Sequence, residues 1–120
     1  MFNFEKLDVW QEAIRFADFI YKVTAKFPEQ ERFGLTNQMR RAAVSISSNI
    51  AEGSSRLSRV EFARFVEIAT GSLFEVLSQA RISLNQEFLP QKAYEQICDR
   101  AEKQSRMLSG LRRSLIEDKT

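Results

Sequence analysis

Arginine side chains provide most of the chemistry that this sequence can offer. Residues 32–64 contain six arginines against two glutamates, a local balance of +4, whereas the whole chain carries a net charge of only +2. A guanidinium group presents its N–H donors in one plane and suits bidentate contacts with phosphate. Such a local excess favours binding of RNA or DNA. The residues expected to contact phosphate are Arg40, Arg56, Arg59 and Arg64.

A second group of polar side chains follows one edge of a predicted helix. At 100° per residue these side chains lie beside an apolar face formed by Met39, Ala42, Ala43, Ile46 and Ile50. Half-buried polar groups need hydrogen-bond partners, so this polar seam either satisfies itself and a neighbouring helix or forms a subunit or ligand contact. Its members are Gln38, Arg41, Ser45, Asn49, Glu52 and, on the next helix, Glu75; we expect Arg41 to be held within it.

Several kinds of catalytic and metal chemistry are excluded by composition. The chain has no histidine, which removes histidine general bases, Ser-His-Asp and Cys-His nucleophile systems, and Glu-x-x-His metal sites. Cys98 is the only cysteine, so neither an internal disulfide nor a cysteine zinc site is expected. The four glycines are isolated and form no phosphate loop. A magnesium site built from Glu52, Glu61, Glu67 and Glu75 lacks a paired-carboxylate motif. We expect no enzyme activity, no cofactor and no metal.

The pattern of apolar residues predicts an all-α fold. The apolar residues recur at intervals of three and four, and the 120 residues include only two prolines and four glycines. The length suits one domain spanning residues 1–120. We predict helices at about 8–27, 37–53, 59–87 and 90–117, arranged as an antiparallel up-down-up-down four-helix bundle. No membrane span or signal peptide is recognised, so a cytoplasmic location is expected.

Local residues predict where the helices begin and end. Asp8 and Thr36 are expected to cap the first and second helices. Gly53 suits the left-handed residue that ends a helix. Ser58 followed by Glu61 has the spacing of a capping box ahead of the third helix.

Apolar surface on the first and third helices predicts self-association. The apolar residues between positions 9 and 27 span roughly 220° of a helical wheel, about twice what one core face requires. The outer face of the third helix also carries apolar and small residues at heptad-like spacing. A second subunit is the simplest cover for both surfaces. The residues expected at this homo-oligomer contact are Phe16, Phe19, Ile68, Gly71 and Ile82.

Two motifs give the sequence a family resemblance. The segment RRAAVSISSNIAEGSSR occupies residues 40–56, and ATGSLFE occupies residues 69–75. Shorter matches are Leu7-Asp8-Val9-Trp10, Phe27-Pro28 and Phe33-Gly34-Leu35-Thr36. The sequence resembles the bacterial four-helix bundle family named for proteins encoded in intervening sequences of 23S ribosomal RNA genes. The family's usual Gly-Tyr near the end of the third helix is absent here, where Asn85-Gln86-Glu87 stands.

The resemblance implies a ring-like homo-oligomer, typically a pentamer. It also implies kinship with the accessory variability protein of diversity-generating retroelements, a basic pentameric barrel that binds nucleic acid and works with a reverse transcriptase. No catalytic activity is established for the family. Two hypotheses therefore stay open: an oligomer that binds RNA or DNA through its arginines, and an oligomeric scaffold that binds another protein and has no nucleic-acid function of its own.

Overall fold

The computed structural model describes residues 1–117, and this part of the chain contains helices but no strand. The four α-helices are α1 (Asp8–Thr24), α2 (Leu35–Ser54), α3 (Arg59–Asn85) and α4 (Gln91–Ile116). Short 3-10 turns at Asn3–Lys6 and Glu29–Glu31 precede α1 and α2. The predicted all-α class is confirmed. The largest shift in a boundary is at the end of α1, which was predicted to continue to residue 27.

The four helices share one hydrophobic core. α2 packs against α1 and α3, α3 also packs against α4, and α4 packs against α1. The molecule measures 52 × 23 × 20 Å along its principal axes, so the helices lie along its length. The predicted apolar face of α2 is entirely buried. Its members are Met39, Ala42, Ala43, Ile46 and Ile50.

α1 ends at Thr24 because the chain tightens there before a proline. The Thr24 hydroxyl donates a hydrogen bond of 2.7 Å to the Ile20 carbonyl, and the Phe27 amide donates one of 3.0 Å to the Thr24 carbonyl. A residue that precedes proline is disfavoured in helical conformation, and Phe27 precedes Pro28. Phe27 is nevertheless buried in the core. Its apolar side chain therefore correctly indicated a buried position, although that position lies beyond the end of the helix.

The wide apolar surface of α1 is mostly covered by its own chain. Phe16 is only 1% exposed, so its assignment to a subunit contact is corrected: it is a core residue. The Trp10 ring meets the Phe4 ring edge-on at 5.1 Å, and the Arg100 guanidinium lies 4.3 Å from the Phe19 ring centroid. The N-terminal turn and α4 thus supply the cover that was expected from a second subunit.

Gly53 is a contact glycine and not a helix terminator. No described glycine has a positive φ, and Gly53 lies buried within α2. A Cβ at this position would stand 2.7 Å from the Phe65 Cβ and 2.9 Å from Phe62 Cδ1. The missing side chain therefore lets α3 approach α2, and the prediction of a left-handed residue is wrong.

The helix caps agree with the sequence only at α3. The Ser58 hydroxyl accepts a hydrogen bond of 3.2 Å from the Glu61 amide, as predicted. Asp8 is the first residue of α1 and not its cap, and Thr36 is buried within the first turn of α2. The Glu31 carboxylate accepts the Leu35 amide at 3.2 Å and so satisfies a donor at the start of α2.

A buried carboxylate joins α1 to α4. Glu12 is 5% exposed and accepts hydrogen bonds from Arg15, at 3.0 Å from Nη2, while Lys103 Nζ of α4 lies 3.4 Å away. Burial acts to raise the pKa of the Glu12 carboxyl, but the Arg15 hydrogen bond and the charges of Lys103 and Arg15 outweigh it, and the pKa lies below its usual value.

We predict that Gly53→Ala lowers the free energy of unfolding by about 1–3 kcal/mol, because the new methyl overlaps Phe65 and Phe62. Gly110→Ala is the matched control, since nothing lies within 4 Å of its added Cβ. The control should gain about 0.5–1 kcal/mol from its better helix propensity. Urea titration followed by circular dichroism measures both changes. Equal stability gains in the two variants would show that α2 and α3 do not meet at Gly53.

We predict that Glu12→Gln destabilises the protein at neutral pH and that this effect shrinks in acid. A lowered native pKa means that the ionised carboxylate stabilises the fold above its unfolded pKa of about 4.3, and this stabilisation disappears as pH falls through the native pKa. Urea titrations of both proteins from pH 7 to about 3 measure the difference. Glu102→Gln, at an exposed position of α4, is the control. A destabilisation that stays constant down to the lowest pH would contradict the charged network.

Candidate nucleic-acid interface

Arg40 and Arg41 of α2 have exchanged the roles expected of them, which were phosphate contact for Arg40 and a structural role for Arg41. Arg40 Nε donates a 2.9 Å hydrogen bond to Thr24 Oγ1, and its Nη2 donates one of 3.3 Å to the Tyr21 carbonyl. Its guanidinium also lies 4.6 Å from the Tyr21 ring centroid. Arg41 is exposed and has no hydrogen-bond or ion-pair partner among residues 1–117. Arg40 thus fastens α2 to the end of α1, and Arg41 is the available cation.

The arginines at the turn between α2 and α3 also have partners within the chain. Arg56 Nη2 lies 3.1 Å from Glu52 Oε2, and its guanidinium lies 4.8 Å from the Phe65 ring centroid. Arg59 donates a 3.2 Å hydrogen bond to the Leu115 carbonyl and another to the Ser114 carbonyl. Carbonyls in the last turn of a helix lack helical donors, so Arg59 holds the end of α4.

Arg64 is the second available cation of this region. Its side chain is exposed on α3 and pairs with no described residue. It lies one turn before Ile68 and two turns before Gly71, on the same side of α3. The surface around Arg64 is therefore partly apolar.

The polar seam is satisfied within the chain at its centre. Asn49 Nδ2 donates to the Ser45 carbonyl at 2.8 Å and to Ser45 Oγ at 2.9 Å, and Ser72 Oγ lies 3.0 Å from Ser45 Oγ. The Asn49 bonds lie within α2, and the bond between Ser72 and Ser45 connects α2 to α3. Ser72 was missed, although it stands three residues before Glu75, within the seam's helical spacing.

The ends of the seam differ from its centre. Glu75 accepts a 3.3 Å hydrogen bond from Gln79 Nε2, while Gln79 Oε1 is buried without a partner in the described chain. Gln38 is exposed and has no partner in the described part of the chain. Arg41 was expected to be held by the seam but bonds to none of its members, and Glu52 is paired with Arg56. Hydrogen bonds within the chain therefore satisfy the centre of the seam. They do not satisfy Gln38 or the buried oxygen of Gln79.

Apolar side chains remain exposed on the outer face of α3. Ile68 is 52% exposed, Phe74 57% and Ile82 48%, and nothing lies within 4 Å of a Cβ added to Gly71. Ile68, Gly71 and Ile82 belong to the heptad-like row from which this face was predicted, whereas Phe74 and Val60 lie beside that row and were not predicted. Phe19 of α1 was assigned to the same contact. It is half-buried, and the guanidinium of Arg100 from α4 lies over its ring.

A shallow groove surrounds the free guanidinium of Arg41. It has a volume of about 560 Å³ and combines this cation with amide and hydroxyl donors. Such donors and a cation together suit phosphate oxygens, which accept several hydrogen bonds. The groove is lined by Tyr21, Asn37, Arg40, Arg41, Val44, Ser45 and Ser48.

Metal and membrane sites are not found in the described residues. Within residues 1–117 no group of three or more metal-ligating side chains could hold an ion. The same stretch has no helix that is both long enough and apolar enough to cross a membrane.

The fold and the site together define an all-α, four-helix protein whose candidate functional surface is basic. Residues 5–110 match the family described as 23S rRNA-intervening sequence protein. The chain belongs to this family, which confirms the resemblance carried by its motifs. The search of curated proteins found no match.

A solved structure shares the fold. It is a crystal structure of a protein with unknown function from the S23 ribosomal protein family of Bacteroides thetaiotaomicron VPI-5482. The TM-score is 0.80 at 22% sequence identity, with 88% of this chain and 95% of that chain covered. At this identity the similarity concerns the fold alone.

We predict that Arg40→Gln lowers the free energy of unfolding by about 1–2 kcal/mol, because it removes two hydrogen bonds and the cover of the Tyr21 ring. Arg41→Gln should change stability by less than about 0.5 kcal/mol, since Arg41 has no partner in residues 1–117. The variants have the same charge and differ by one position, so urea titration of the pair isolates the effect of the hydrogen bonds and the ring. Equal stabilities would return Arg40 to the set of available cations.

Proposed function

We propose that this protein is a non-enzymatic homo-oligomer that binds RNA or DNA through the groove around Arg41. The observation that carries the proposal is the exposed Arg41 guanidinium, unpaired within residues 1–117 and surrounded by side-chain donors. Phosphate contacts would come from Arg41 first, with the half-exposed Arg56 and with Arg64 as additional cations. Arg40 would shape the groove, and Arg59 would hold the end of α4, so neither is proposed as a phosphate ligand.

The proposed architecture is an up-down-up-down bundle with antiparallel neighbours. Contacts between α2 and α3 support this order: Met39 meets Ser83, Ser45 meets Ser72, and the position of Gly53 meets Phe65, so residue numbers rise on one helix as they fall on the other. Repeated copies would multiply one modest basic groove into a larger charged surface, and multivalent contacts raise the overall affinity.

Assembly is proposed through the outer face of α3. Val60, Ile68, Phe74 and Ile82 are each about half exposed, and Gly71 leaves the backbone open to close approach. Apolar rows on one helix face are typical of contacts between subunits. The family resemblance favours five copies. Arg64 lies between Val60 and Ile68 on this face, so a contact centred farther along α3 would leave it at the edge.

The proposal predicts binding of labelled structured RNA or duplex DNA that weakens steeply as salt rises, because phosphate neutralisation releases counterions. Arg41→Gln should lower affinity alike for all sequences tested and should reduce the log-log salt slope by about one, the change expected when a single arginine no longer neutralises a phosphate. Arg113→Gln is the control, since Arg113 is exposed on α4, outside the groove. Fluorescence anisotropy at several salt concentrations measures both variants.

Molar mass from light scattering of the same samples separates assembly from binding. An oligomer that does not bind even at low salt would refute the nucleic-acid function and leave the protein-scaffold alternative. A folded monomer would refute the assembly, and the exposed face of α3 would then be available to a different protein. An equal drop of affinity in both variants would show that only overall charge matters and that the groove is not the site.

A further inference from the structure

A cavity separate from the groove around Arg41 lies beside the last turn of α1. It opens between the end of α1, the connection from α3 to α4, and the start of α4. Its volume is about 710 Å³, within the range of about 300–1,000 Å³ typical of small-molecule sites. It shares no lining residue with the groove around Arg41. The nucleic-acid hypothesis therefore gives it no role.

The walls of this cavity are apolar and are held in place. They are formed by Phe19, Val23, Leu84, Phe88, Leu89 and Ala93. The Phe88 ring lies 6.0 Å from the ring of the buried Phe27, and the Phe19 ring is covered by Arg100. The amides of Phe88 and Leu89 both donate to the Ser83 carbonyl, at 2.9 and 3.3 Å. The cavity is thus preformed and is not a gap under a loose loop.

Charges surround the mouth of the cavity. Lys22 in the last turn of α1 and Lys26 just beyond it both line the cavity, are exposed, and pair with no described residue. Glu87 also lines the cavity. Two lysines and one glutamate leave the mouth with one net positive charge. A single negative group placed between the lysines would complement it.

Glu87, whose carboxylate lies at the mouth, is the left-handed residue that follows the end of α3. Its φ is 65°, the only positive φ of a non-glycine residue in the described chain. Glycine adopts this conformation at helix ends without steric cost, whereas a residue with a side chain is strained there. The Phe88 amide bonds back to the Ser83 carbonyl, the pattern that ends a helix with a left-handed residue, so the turn itself accounts for this φ. Glycine would meet the turn with less strain, whereas the glutamate brings a carboxylate to the mouth.

We propose that this cavity binds a free long-chain monoanion, an amphiphile of the fatty-carboxylate class. Its apolar tail lies against Phe19, Leu84 and Phe88, and its head group contacts the ammonium groups of Lys22 and Lys26. Gln91 and Gln96 also line the cavity, but six apolar side chains form most of its wall, so a wholly polar ligand would leave many of its groups without partners. The single net charge of the mouth selects a monoanion over a cation with the same tail.

The test is calorimetric titration of the full-length protein with laurate and with dodecyltrimethylammonium, both below their micelle concentrations. Laurate should bind at one site per chain, and the cation at least about tenfold more weakly, because a cationic head group cannot form charge-assisted hydrogen bonds with the lysines. Equal affinity for the two probes would overturn the proposal, and so would the absence of laurate binding.

Variants locate the site. Lys22→Gln combined with Lys26→Gln should weaken laurate binding about tenfold or more, whereas Lys6→Gln combined with Arg106→Gln, an equal change of net charge outside the cavity, should leave it unchanged. Ala93→Leu should block the tail. Amide shifts of Phe88 and Leu89 on laurate addition provide a readout in the native chain if Ala93→Leu fails to fold.

A membrane surface would present similar head groups, so vesicles of phosphatidylglycerol form a separate arm. Binding to vesicles without binding to free laurate would overturn the proposal of a free ligand. Laurate binding that the lysine pair and its control weaken equally would show a nonspecific charge effect and would also overturn it. Neither result bears on Arg41, so the nucleic-acid hypothesis is tested independently.

Discussion

The close contact between α2 and α3 is the constraint on which the rest of the structure depends. α2 carries the small residues Ser45 and Gly53 where it faces α3, and at Gly53 a side chain would overlap Phe65 and Phe62. The hydrogen bond between Ser45 and Ser72 connects the same two helices farther along. Close packing of this kind fixes the rotation of each helix about its own axis, because the small positions must face the partner. The rotation of α3 in turn decides that Ile68, Gly71 and Phe74 face outward, and the rotation of α2 decides which of its two adjacent arginines reaches α1.

Arginine has a structural role over much of this protein, and that role limits how much charge is available to a partner. Guanidinium groups lie over five aromatic rings, in the pairs Arg32–Phe33, Arg40–Tyr21, Arg56–Phe65, Arg81–Tyr94 and Arg100–Phe19. An arginine in this position covers apolar surface with its stem and gains a favourable contact with the ring face. The arginine excess of residues 32–64 therefore overstates the free positive charge. In that region only Arg41 and Arg64 have no partner among residues 1–117.

The sequence predicted the helical faces well because burial follows helical periodicity directly. The apolar face of α2 and the Ser58 cap of α3 both follow from spacing alone. Spacing cannot show what stands opposite a side chain, and the wrong predictions for Gly53, for the two adjacent arginines and for the cover of α1 depended on such a neighbour. Gly53 could end a helix or admit a neighbouring one, and only the position of Phe65 distinguishes the two. Likewise, Arg40 and Arg41 differ by about 100° of rotation, and the Tyr21 carbonyl lies on one side only. The wide apolar surface of α1 was predicted correctly, but the N-terminal turn and α4 cover it, and not a second subunit as predicted.

Arg64 connects the two parts of the functional hypothesis and restricts how they combine. A guanidinium that becomes buried without a carboxylate or phosphate partner costs several kcal/mol, on the order of the whole gain from a small apolar contact. If copies associate through Ile68 and Gly71, the contact must therefore leave Arg64 at its rim or offer it an acceptor from the other copy. A rim position keeps the guanidinium in water and open to phosphate. Association that is centred on Gly71 and Phe74, farther along α3, meets this restriction, because it covers Ile68, Phe74 and Ile82 and leaves Arg64, together with Val60, accessible at the start of the helix.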